Sequence, residues 1–501
     1  MLRRDSFSSM SLAFCGPAPP DRLGRSILPL IVRSDSCSLL HQTLACSMPE
    51  PWNHYSGFHP PSPKWSVPRI RFDQISPQDF YAKFVATRTP CVLEGCTYPQ
   101  ANWTPQSVAD MGAGAISVQV EGMGADGFFG SGKLRSLTNF DQFVRRLETQ
   151  GEIGLYMTTQ YYEPSPDSDP DRDVSPEVQL DRVLDYCQPP LTALLGRFEM
   201  TPAILGHLVP QQVNLWIGAT SNSNSKGSSS GLHHDYADNL YVLCKGKKRF
   251  TLFSPKDAEH LLLVGKSPFV HPNGLISYDG AAIRADGANL VDVAKYHLRT
   301  AEEGLAQAEA ASIDTSPFED AVDEAMDELL RLETAPQDNQ PGRSSKKRGS
   351  KRPRSVLESE LSSAEPPSFS RIDTKSLRAR DYGRYPSLKK ATAIVCELKQ
   401  SDALYLPAGW FHEVTSFGQG TASEGSSTHM AFNYWMHPPT EAGTFEQPYD
   451  DGYWKDRWLE TAAIIEARRQ EIMRLSSKKP KPRPVLLQSH GMVWRVATKE
   501  P

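Results

Sequence analysis

The chain has 501 residues, so it is longer than one typical domain, and its net charge of −5 argues neither for nor against a polyanionic partner. Apolar residues make up 39% of it and 40 residues are proline, which predicts a packed core together with sizeable segments outside that core. No apolar run approaches the roughly 18 residues that cross a bilayer, and the eight cysteines form no C-x-x-C pair, so a membrane span and a structural zinc site are disfavoured.

Residues 1–64 are expected to form a disordered leader. Up to residue 47 the segment contains Ser and Arg, few acidic residues and a short apolar patch at 27–32, which is also compatible with a mitochondrial presequence. Met48 offers a second start of translation. A folded region is expected to begin near Trp65.

Residues 65–200 have the pattern of an α/β portion. Ser76 and Pro77 predict a helix start, because a hydroxyl side chain caps the first turn and proline suits the first helical position. The helix that starts there is predicted over 79–85 and another at 137–147, with strands at 90–93, 116–120 and 154–161.

Residues 201–290 and 385–440 predict a barrel of short strands. Many short β-rich runs separated by Gly and Pro turns are typical of a jelly roll, and Gly246-Lys247 predicts a hairpin between two of them. The strands are predicted at 213–217, 239–245, 249–253, 392–398, 403–406, 411–416 and 430–436. The expected fold is therefore mainly β, a double-stranded β-helix with an α+β N-terminal portion and flanking helices.

Residues 291–384 interrupt the barrel as a low-complexity insertion that is expected to be mostly disordered. Within it, 316–333 predicts a helix, and 343–354 is a basic run without acidic residues, typical of a nuclear localisation signal or a nucleic-acid contact. After the barrel, 441–475 predicts a helical region and 476–501 a basic tail.

The segment around His233 carries the chemistry. Residues two apart on a strand point to one side, so His233 and Asp235 can enter the barrel while His234 points away, where we expect it to be solvated. His412 follows a Pro/Gly turn and supplies a third ligand; its rivals His429 and His437 flank a predicted strand and are expected at the surface. Two imidazoles and one carboxylate form the facial triad of non-heme iron(II) oxygenases.

A wider set of motifs resembles a known family. His233-x-Asp235 is followed by Asn239 and by Lys245-Gly-Lys-Lys248, and later come the segment 402–412 and Asn433-Tyr-Trp435. Together they resemble the small, cupin-like JmjC hydroxylases, of the type of the asparaginyl hydroxylase that acts on hypoxia-inducible factor. The resemblance covers residues 65–439 apart from the insertion.

This resemblance implies a cosubstrate site. Lys248 would pair with the distal carboxylate of 2-oxoglutarate, with Ser230 and Tyr156 as further hydrogen-bond donors, and Asn239 and Asn433 would line its other end. A lysine inside a barrel needs a negative partner, which a dianion supplies. Ser230 could instead be a loop residue, and Tyr156 could be a core aromatic residue.

The resemblance implies an iron(II)- and 2-oxoglutarate-dependent dioxygenase that uses O₂ to hydroxylate a protein side chain. The alternatives are N-methyl-lysine demethylation, hydroxylation of a tRNA nucleoside and a non-catalytic cupin that binds partners. The partners expected are a protein substrate, nucleic acid through 343–354 and a second copy through the C-terminal helical region, without a membrane. The expected compartment is the nucleus or cytoplasm, with mitochondria the minor alternative.

Overall fold

Two β-sheets form the centre of the protein and line one cavity between them. A computed structural model of the chain describes residues 52–122, 135–159, 182–221, 227–334, 366–418, 426–477, 486–489 and 492–495. The strands are β1 (Arg69–Arg71), β2 (Cys91–Glu94), β3 (Ser117–Gly122), β4 (Arg135–Asn139), β5 (Leu155–Thr158), β6 (Pro210–Ser221), β7 (Ser228–His234), β8 (Asp238–Lys245), β9 (Lys247–Phe253), β10 (Phe269–Val270), β11 (Ile276–Ser277), β12 (Ile394–Leu398), β13 (Ala403–Leu406), β14 (Phe411–Phe417), β15 (Ser426–Met436), β16 (Leu486–Ser489) and β17 (Met492–Arg495).

Helices flank the sheets. The α-helices are α1 (Pro77–Phe80), α2 (Pro105–Val108), α3 (Phe140–Glu148), α4 (Leu290–Ala311), α5 (Ser316–Thr334), α6 (Thr374–Ala379) and α7 (Tyr453–Ser477). Shorter helical turns lie at Phe72–Gln74, Tyr81–Val85, Pro99–Asn102, Ala109–Ala113, Leu191–Leu194, Ala203–Leu205, Pro255–His260 and Pro386–Lys389. Ser76 caps α1 by accepting a hydrogen bond from the Asp79 amide, as its sequence predicts.

The larger sheet has the strand order β1-β2-β13-β8-β15-β6-β5-β3-β4, and the smaller sheet has the order β12-β9-β14-β7. All neighbours are antiparallel except β1 and β2, which are parallel. Each barrel strand therefore pairs mostly with strands remote in sequence. The predicted jelly-roll fold is confirmed.

The hairpin predicted at Gly246-Lys247 is wrong. β8 pairs with β13 and β15 in the larger sheet, whereas β9 pairs with β12 and β14 in the smaller sheet. Gly246 has a φ of 89°, and a Cβ there would lie 2.6 Å from the Phe417 carbonyl oxygen. Only glycine fits this conformation and this contact, so the residue turns the chain from one sheet to the other.

The insertion is more ordered than its composition predicts. Residues 291–334 are almost entirely helical, in α4 and α5, and residues 366–391 pack against the barrel. In α4, Val293 and Ala294 are buried, and Tyr296 donates a hydrogen bond to Asp456 on α7 at 2.7 Å. The helices α4 and α5 bury only a narrow stripe of side chains, so they form without many aromatic residues. The basic run 343–354 lies outside the described residues.

The folded part also begins earlier than Trp65. The His54 amide donates to the Val270 carbonyl at 3.0 Å, and Tyr55 is 4% exposed against the segment 269–274. Residues 52–64 are therefore not a disordered leader, while residues 1–51 lie outside the described part. The predicted helix at 137–147 begins only at Phe140, because residues 135–139 pair with β3 as β4.

The C-terminal helical region packs on the larger sheet's core. Ile465 on α7 is fully buried, and Trp458 lies against Tyr186 with ring centroids 5.2 Å apart. Leu459 and Met473 on the same helix are 56% and 57% exposed. Within the described residues, no helix has the length and the apolar character that a membrane crossing requires.

Candidate metal centre and adjoining cavity

Strands β7 and β14 bring the three residues of the predicted triad together. His412 is paired directly opposite His233, and Asp235 follows the end of β7. One ligand atom from each of the three side chains lies within 4.8 Å of the other two, and His412 Nε2 is 3.6 Å from Asp235 Oδ2. This is the one such group of three among the described His, Cys, Asp and Glu residues.

Both imidazoles are oriented by the backbone. His233 Nδ1 lies 3.1 Å from the Gly231 carbonyl oxygen, and His412 Nδ1 lies 3.0 Å from that of Trp410. A carbonyl oxygen only accepts, so each Nδ1 carries the proton and each Nε2 keeps its lone pair. Such outer hydrogen bonds fix the tautomer that binds metals.

His233 is held in its neutral form. Burial, reinforced by the neighbouring His412, lowers its pKa to about 4, against the opposing effect of Asp235. A neutral imidazole has a free lone pair at neutral pH, as metal binding requires. Two imidazoles and one carboxylate match the donor set of a divalent transition metal.

The turn that precedes His412 is tied to the segment that carries Asp235. The Gly409 amide donates to the Asp235 carbonyl at 3.0 Å, and the Ala408 amide donates to Asp238 Oδ1 at 2.9 Å. Asp238 is itself paired with the buried Arg88 guanidinium, whose two terminal nitrogens lie 2.5 and 2.8 Å from its oxygens. A buried charge network therefore holds the two ligand-bearing segments in register.

The triad opens into a cavity of about 340 Å³ between the sheets. The smaller sheet contributes the triad histidines at one end and Lys248 further along β9. The larger sheet contributes mostly aromatic and amide side chains. The principal lining residues are Glu121, Tyr156, Thr158, Gln211, Trp216, Ser230, Asn239, Tyr241, Phe250, Val414, Ser416, Asn433 and Trp435.

Lys248 is the one lysine or arginine among the described residues that line this cavity. It is 1% exposed, and burial alone lowers its pKa to about 7. Its ammonium nitrogen donates to Ser416 Oγ at 2.5 Å and lies 3.4 Å from His429 Nδ1. None of the described carboxylates lies within 4 Å of it. A buried ammonium without an anionic partner is costly, so the cavity suits a negatively charged ligand at this end.

The other predicted cosubstrate residues also line the cavity. Tyr156 lies on β5 with its ring centroid 6.1 Å from that of His429. Asn433 Nδ2 donates to Asn239 Oδ1 at 3.2 Å, and Trp216 Nε1 donates to Asn433 Oδ1 at 3.1 Å. The two asparagines are thus oriented by each other and by a tryptophan that the motif reading did not include.

Ser230 belongs to β7 and not to a loop. Its hydroxyl donates to the Gly231 carbonyl at 3.0 Å and accepts from the Val414 amide at 3.2 Å, which joins β7 to β14. Ser416, which sequence reasoning missed, sits between Lys248 and Ser228 in the strand register and contacts the ammonium directly. Ser416 lies two residues after Val414 and four after His412, so alternation along β14 places all three on one face. This spacing is the signal that could have identified it.

Two histidines expected at the surface are buried. His234 points away from the triad as predicted, but it is 1% exposed and its Nε2 lies 2.6 Å from the Tyr278 hydroxyl. His429 is fully buried, because β15 begins before it and directs it beneath Lys248. The third, His437, is half-buried and stacks on Trp454 with centroids 3.4 Å apart.

Phe369 forms a wall of the site that the sequence did not indicate. Its ring stacks on His233 at 4.9 Å with planes 13° apart. The segment around it extends the edge of β7, because the His234 amide donates to the Ser368 carbonyl at 3.2 Å and the Ser370 amide donates to that of Leu232 at 2.9 Å. The C-terminal part of the insertion thus covers the first ligand of the triad.

Comparisons with known proteins agree with this architecture. A family model described as Cupin-like domain matches residues 77–442. JmjC domain-containing protein 4 of Schizosaccharomyces pombe is 34% identical over 442 residues, which cover 79% of this chain and 90% of that protein. The human tRNA wybutosine-synthesizing protein 5 is 27% identical over 210 residues, or 40% of this chain and 59% of that protein.

Proposed function

Because this chain belongs to the cupin-like JmjC domain family, a family that includes oxygenases, we propose that it is an iron(II)- and 2-oxoglutarate-dependent dioxygenase. The observation that carries the proposal is the single cavity that joins a His-Asp-His triad at one end to a buried lysine without a carboxylate partner at the other.

In this proposal His233, Asp235 and His412 hold the metal. The three residues fit it because their ligand atoms converge on one side and both imidazoles present Nε2. A metal held by these three residues would have further coordination positions for the cosubstrate and O₂. Strand pairing holds the two histidines directly opposite each other, which fixes their spacing.

At the other end Lys248 and Ser416 bind the distal carboxylate of 2-oxoglutarate, with Tyr156 as a further donor. Lys248 fits because an anion would supply the partner that it lacks among the described residues. Asn239 and Asn433 orient the part of the cosubstrate nearer to the metal. Ser230 assists by holding β7 to β14.

When bound, iron(II) and 2-oxoglutarate supply oxidative decarboxylation coupled to insertion of one oxygen atom into a C–H bond of the substrate. The chain provides position and shelter for this chemistry. Phe369 stacks on His233 and Trp216 orients Asn433, and the Arg88–Asp238 pair keeps the ligand-bearing segments in place.

For the substrate we propose a protein side chain. No described arginine and no described lysine besides Lys248 lines the cavity, and phosphate groups of nucleic acid are bound chiefly by such residues. Hydroxylation of a tRNA nucleoside is the second candidate, favoured by the 27% identity to tRNA wybutosine-synthesizing protein 5.

Three further proposals concern partners and location. The basic run 343–354 would direct the protein to the nucleus or contact nucleic acid there, with the cytoplasm as the other compartment. The exposed apolar side chains of α7, Leu459 and Met473, would support a homodimer. Light scattering of the purified protein, with both residues changed to serine as the comparison, tests the dimer.

The first experiment is succinate formation from 2-oxoglutarate by the purified protein with iron(II), ascorbate and O₂. We expect turnover that depends on iron and is lost in His233→Ala and Lys248→Ala but kept in His297→Ala, which changes an exposed histidine. Absence of turnover, together with absence of metal and 2-oxoglutarate binding in a calorimeter, would leave a non-catalytic cupin.

The substrate class is then tested with two pools under the same conditions, a peptide digest of cell protein and total tRNA. We expect one added oxygen atom on a peptide and none on the nucleosides. Oxygen found only on a nucleoside would select the second candidate, and loss of a methyl group from lysine would select demethylation.

A further inference from the structure

His429 occupies a closed position beneath the ammonium of Lys248. The side chain is fully buried on β15, and its Nδ1 lies 3.4 Å from Lys248 Nζ. On the far side, a Cβ added to Gly218 would lie 2.9 Å from the imidazole and 2.8 Å from the Tyr156 ring. The imidazole is therefore confined between the lysine, the tyrosine and a glycine that makes room for both.

The hydrogen bonds of the Lys248 ammonium leave one of its N–H donors for a ligand. An ammonium has three N–H donors. One of them reaches Ser416 Oγ at 2.5 Å, a second is within reach of His429 Nδ1, and the third remains for a ligand in the cavity. The imidazole does not itself line the cavity, so any effect on a ligand must pass through the lysine.

The imidazole is an acceptor here because it is neutral. Burial and the adjacent Lys248 hold the pKa of His429 well below its usual range, so Nδ1 keeps a lone pair for the ammonium. Its Nε2 has no hydrogen-bond partner among the described residues. A buried histidine with one unsatisfied nitrogen is costly, which argues for a role beyond packing.

We propose that His429 is a positioning residue that holds the ammonium of Lys248 in place for the terminal carboxylate of the cosubstrate. The inference rests on the proposed function, since it assumes an anionic cosubstrate at this end of the cavity. The inference adds His429 to the cosubstrate site as a residue that affects the bound carboxylate only through Lys248.

A dependence on pH follows. Burial lowers the pKa of Lys248 to about 7, so near neutral pH the ligand-free lysine is only partly charged. A bound carboxylate raises that pKa, and binding therefore takes up a proton above about pH 7. Without the hydrogen-bond acceptor at position 429, Lys248 in the ligand-free protein would be protonated to a smaller extent. The affinity for the carboxylate ligand would therefore begin to fall at a lower pH.

Other charged groups near His429 do not account for this behaviour. On α3, Glu148 is engaged by Lys245 at 3.1 Å and by the Thr428 hydroxyl at 3.2 Å. On β3, Glu121 is paired with Tyr156 in the strand register. Of these groups, none is among the causes that shift the pKa of His429 or Lys248.

Two substitutions separate a positioning role from a packing role. His429→Leu keeps a similar volume but removes the acceptor, whereas His429→Asn places an amide oxygen where Nδ1 stands. His429→Met serves as a second apolar variant if the leucine variant does not fold. A cooperative thermal unfolding transition and a manganese(II) affinity equal to that of wild type show, for each variant used, that the fold and the metal centre are intact.

The experiment is calorimetric titration of 2-oxoglutarate into the manganese(II)-loaded full chain, between about pH 6 and pH 8.5, in two buffers of different ionisation enthalpy. We expect wild type to take up a proton near neutral pH. The apolar variant should bind about tenfold more weakly at pH 8 but less so at pH 6, and the asparagine variant should stay within about threefold.

An apolar variant with wild-type affinity and proton uptake at every pH would overturn the proposal and leave the proposed function intact. An equal loss at every pH in both variants would also overturn it, since that is the behaviour of a packing residue. If wild type itself bound no 2-oxoglutarate at any pH, the proposed function would fail first and the inference with it.

Discussion

His233 and His412 occupy opposite positions on the adjacent antiparallel strands β7 and β14, with ring centroids 4.3 Å apart. Strand pairing alone therefore brings together two side chains from distant parts of the chain. Each imidazole also donates its Nδ1 proton to the backbone carbonyl two residues earlier in the chain. The geometry of the triad thus follows from strand pairing and backbone hydrogen bonds, and metal binding should add stability to the folded chain.

The first prediction concerns that added stability. Manganese(II) or iron(II) without O₂ should raise the free energy of unfolding of wild type by about 2.7 kcal/mol at a hundred times Kd, since the metal binds only the folded chain. His412→Ala should abolish this gain, and His207→Ala, at an exposed histidine, should retain it. Thermal unfolding with and without metal measures the gain in stability. An undiminished gain in His412→Ala would show that the metal does not bind at the triad.

The second prediction concerns the buried pair that links the ligand-bearing segments. Arg88→Met leaves Asp238 buried without its cation, which costs about 3–5 kcal/mol of unfolding free energy. Arg197→Met, at an exposed arginine, should change stability by about 0.5 kcal/mol or less. Urea unfolding compares the two variants. Equal stability of both would mean that Asp238 finds other partners, such as Tyr405, whose hydroxyl lies 2.6 Å away.

The third prediction is a gain in stability when Lys248 is removed. Its pKa is about 7 in the folded chain against an ordinary value of 10.5, so between these limits the unfolded chain binds a proton that the folded chain does not. Wild-type stability therefore gains about 1.4 kcal/mol per pH unit from this residue as pH rises above 7. Lys248→Met should be more stable than wild type by about 1–4 kcal/mol at pH 7, and this advantage should shrink at pH 8.5.

Urea unfolding without 2-oxoglutarate measures the difference between the two proteins at each pH. Lys247→Met, which changes a neighbouring lysine with a half-exposed side chain, is the matched control. A variant that is less stable than wild type at pH 7 would show that the ammonium is neutralised by a partner within the fold.

The fourth prediction concerns the wall over His233. Phe369→Ala removes the ring that stacks on this ligand and opens the site to water, so metal affinity should fall about tenfold. Phe269→Ala changes a ring that is 40% exposed and should leave metal affinity unchanged. Competition with a metal indicator dye reports Kd for both variants. Equal affinities would restrict Phe369 to substrate contacts.

Several features of the site can be predicted from the local sequence. Alternation on a strand predicts that His233 and Asp235 share a face and that His234 does not, and the turn before His412 predicts where the next strand begins. The strand predicted at 403–406 has the same bounds as β13. The many short strands between Gly and Pro turns predict the jelly-roll fold. These inferences need only periodicity and turn chemistry, which act over a few residues.

Tertiary structure decided the rest, because a β-strand's partners are set by contacts remote in sequence. Alternation identifies two faces of a strand without saying which one is covered, so His429 and His234 were expected in solvent and are buried. Likewise the local pattern at Gly246 predicts a hairpin turn, whereas strand pairing places β8 and β9 in different sheets. Phe369 reaches the metal centre only because the C-terminal part of the insertion joins the edge of β7, a contact that no local pattern encodes.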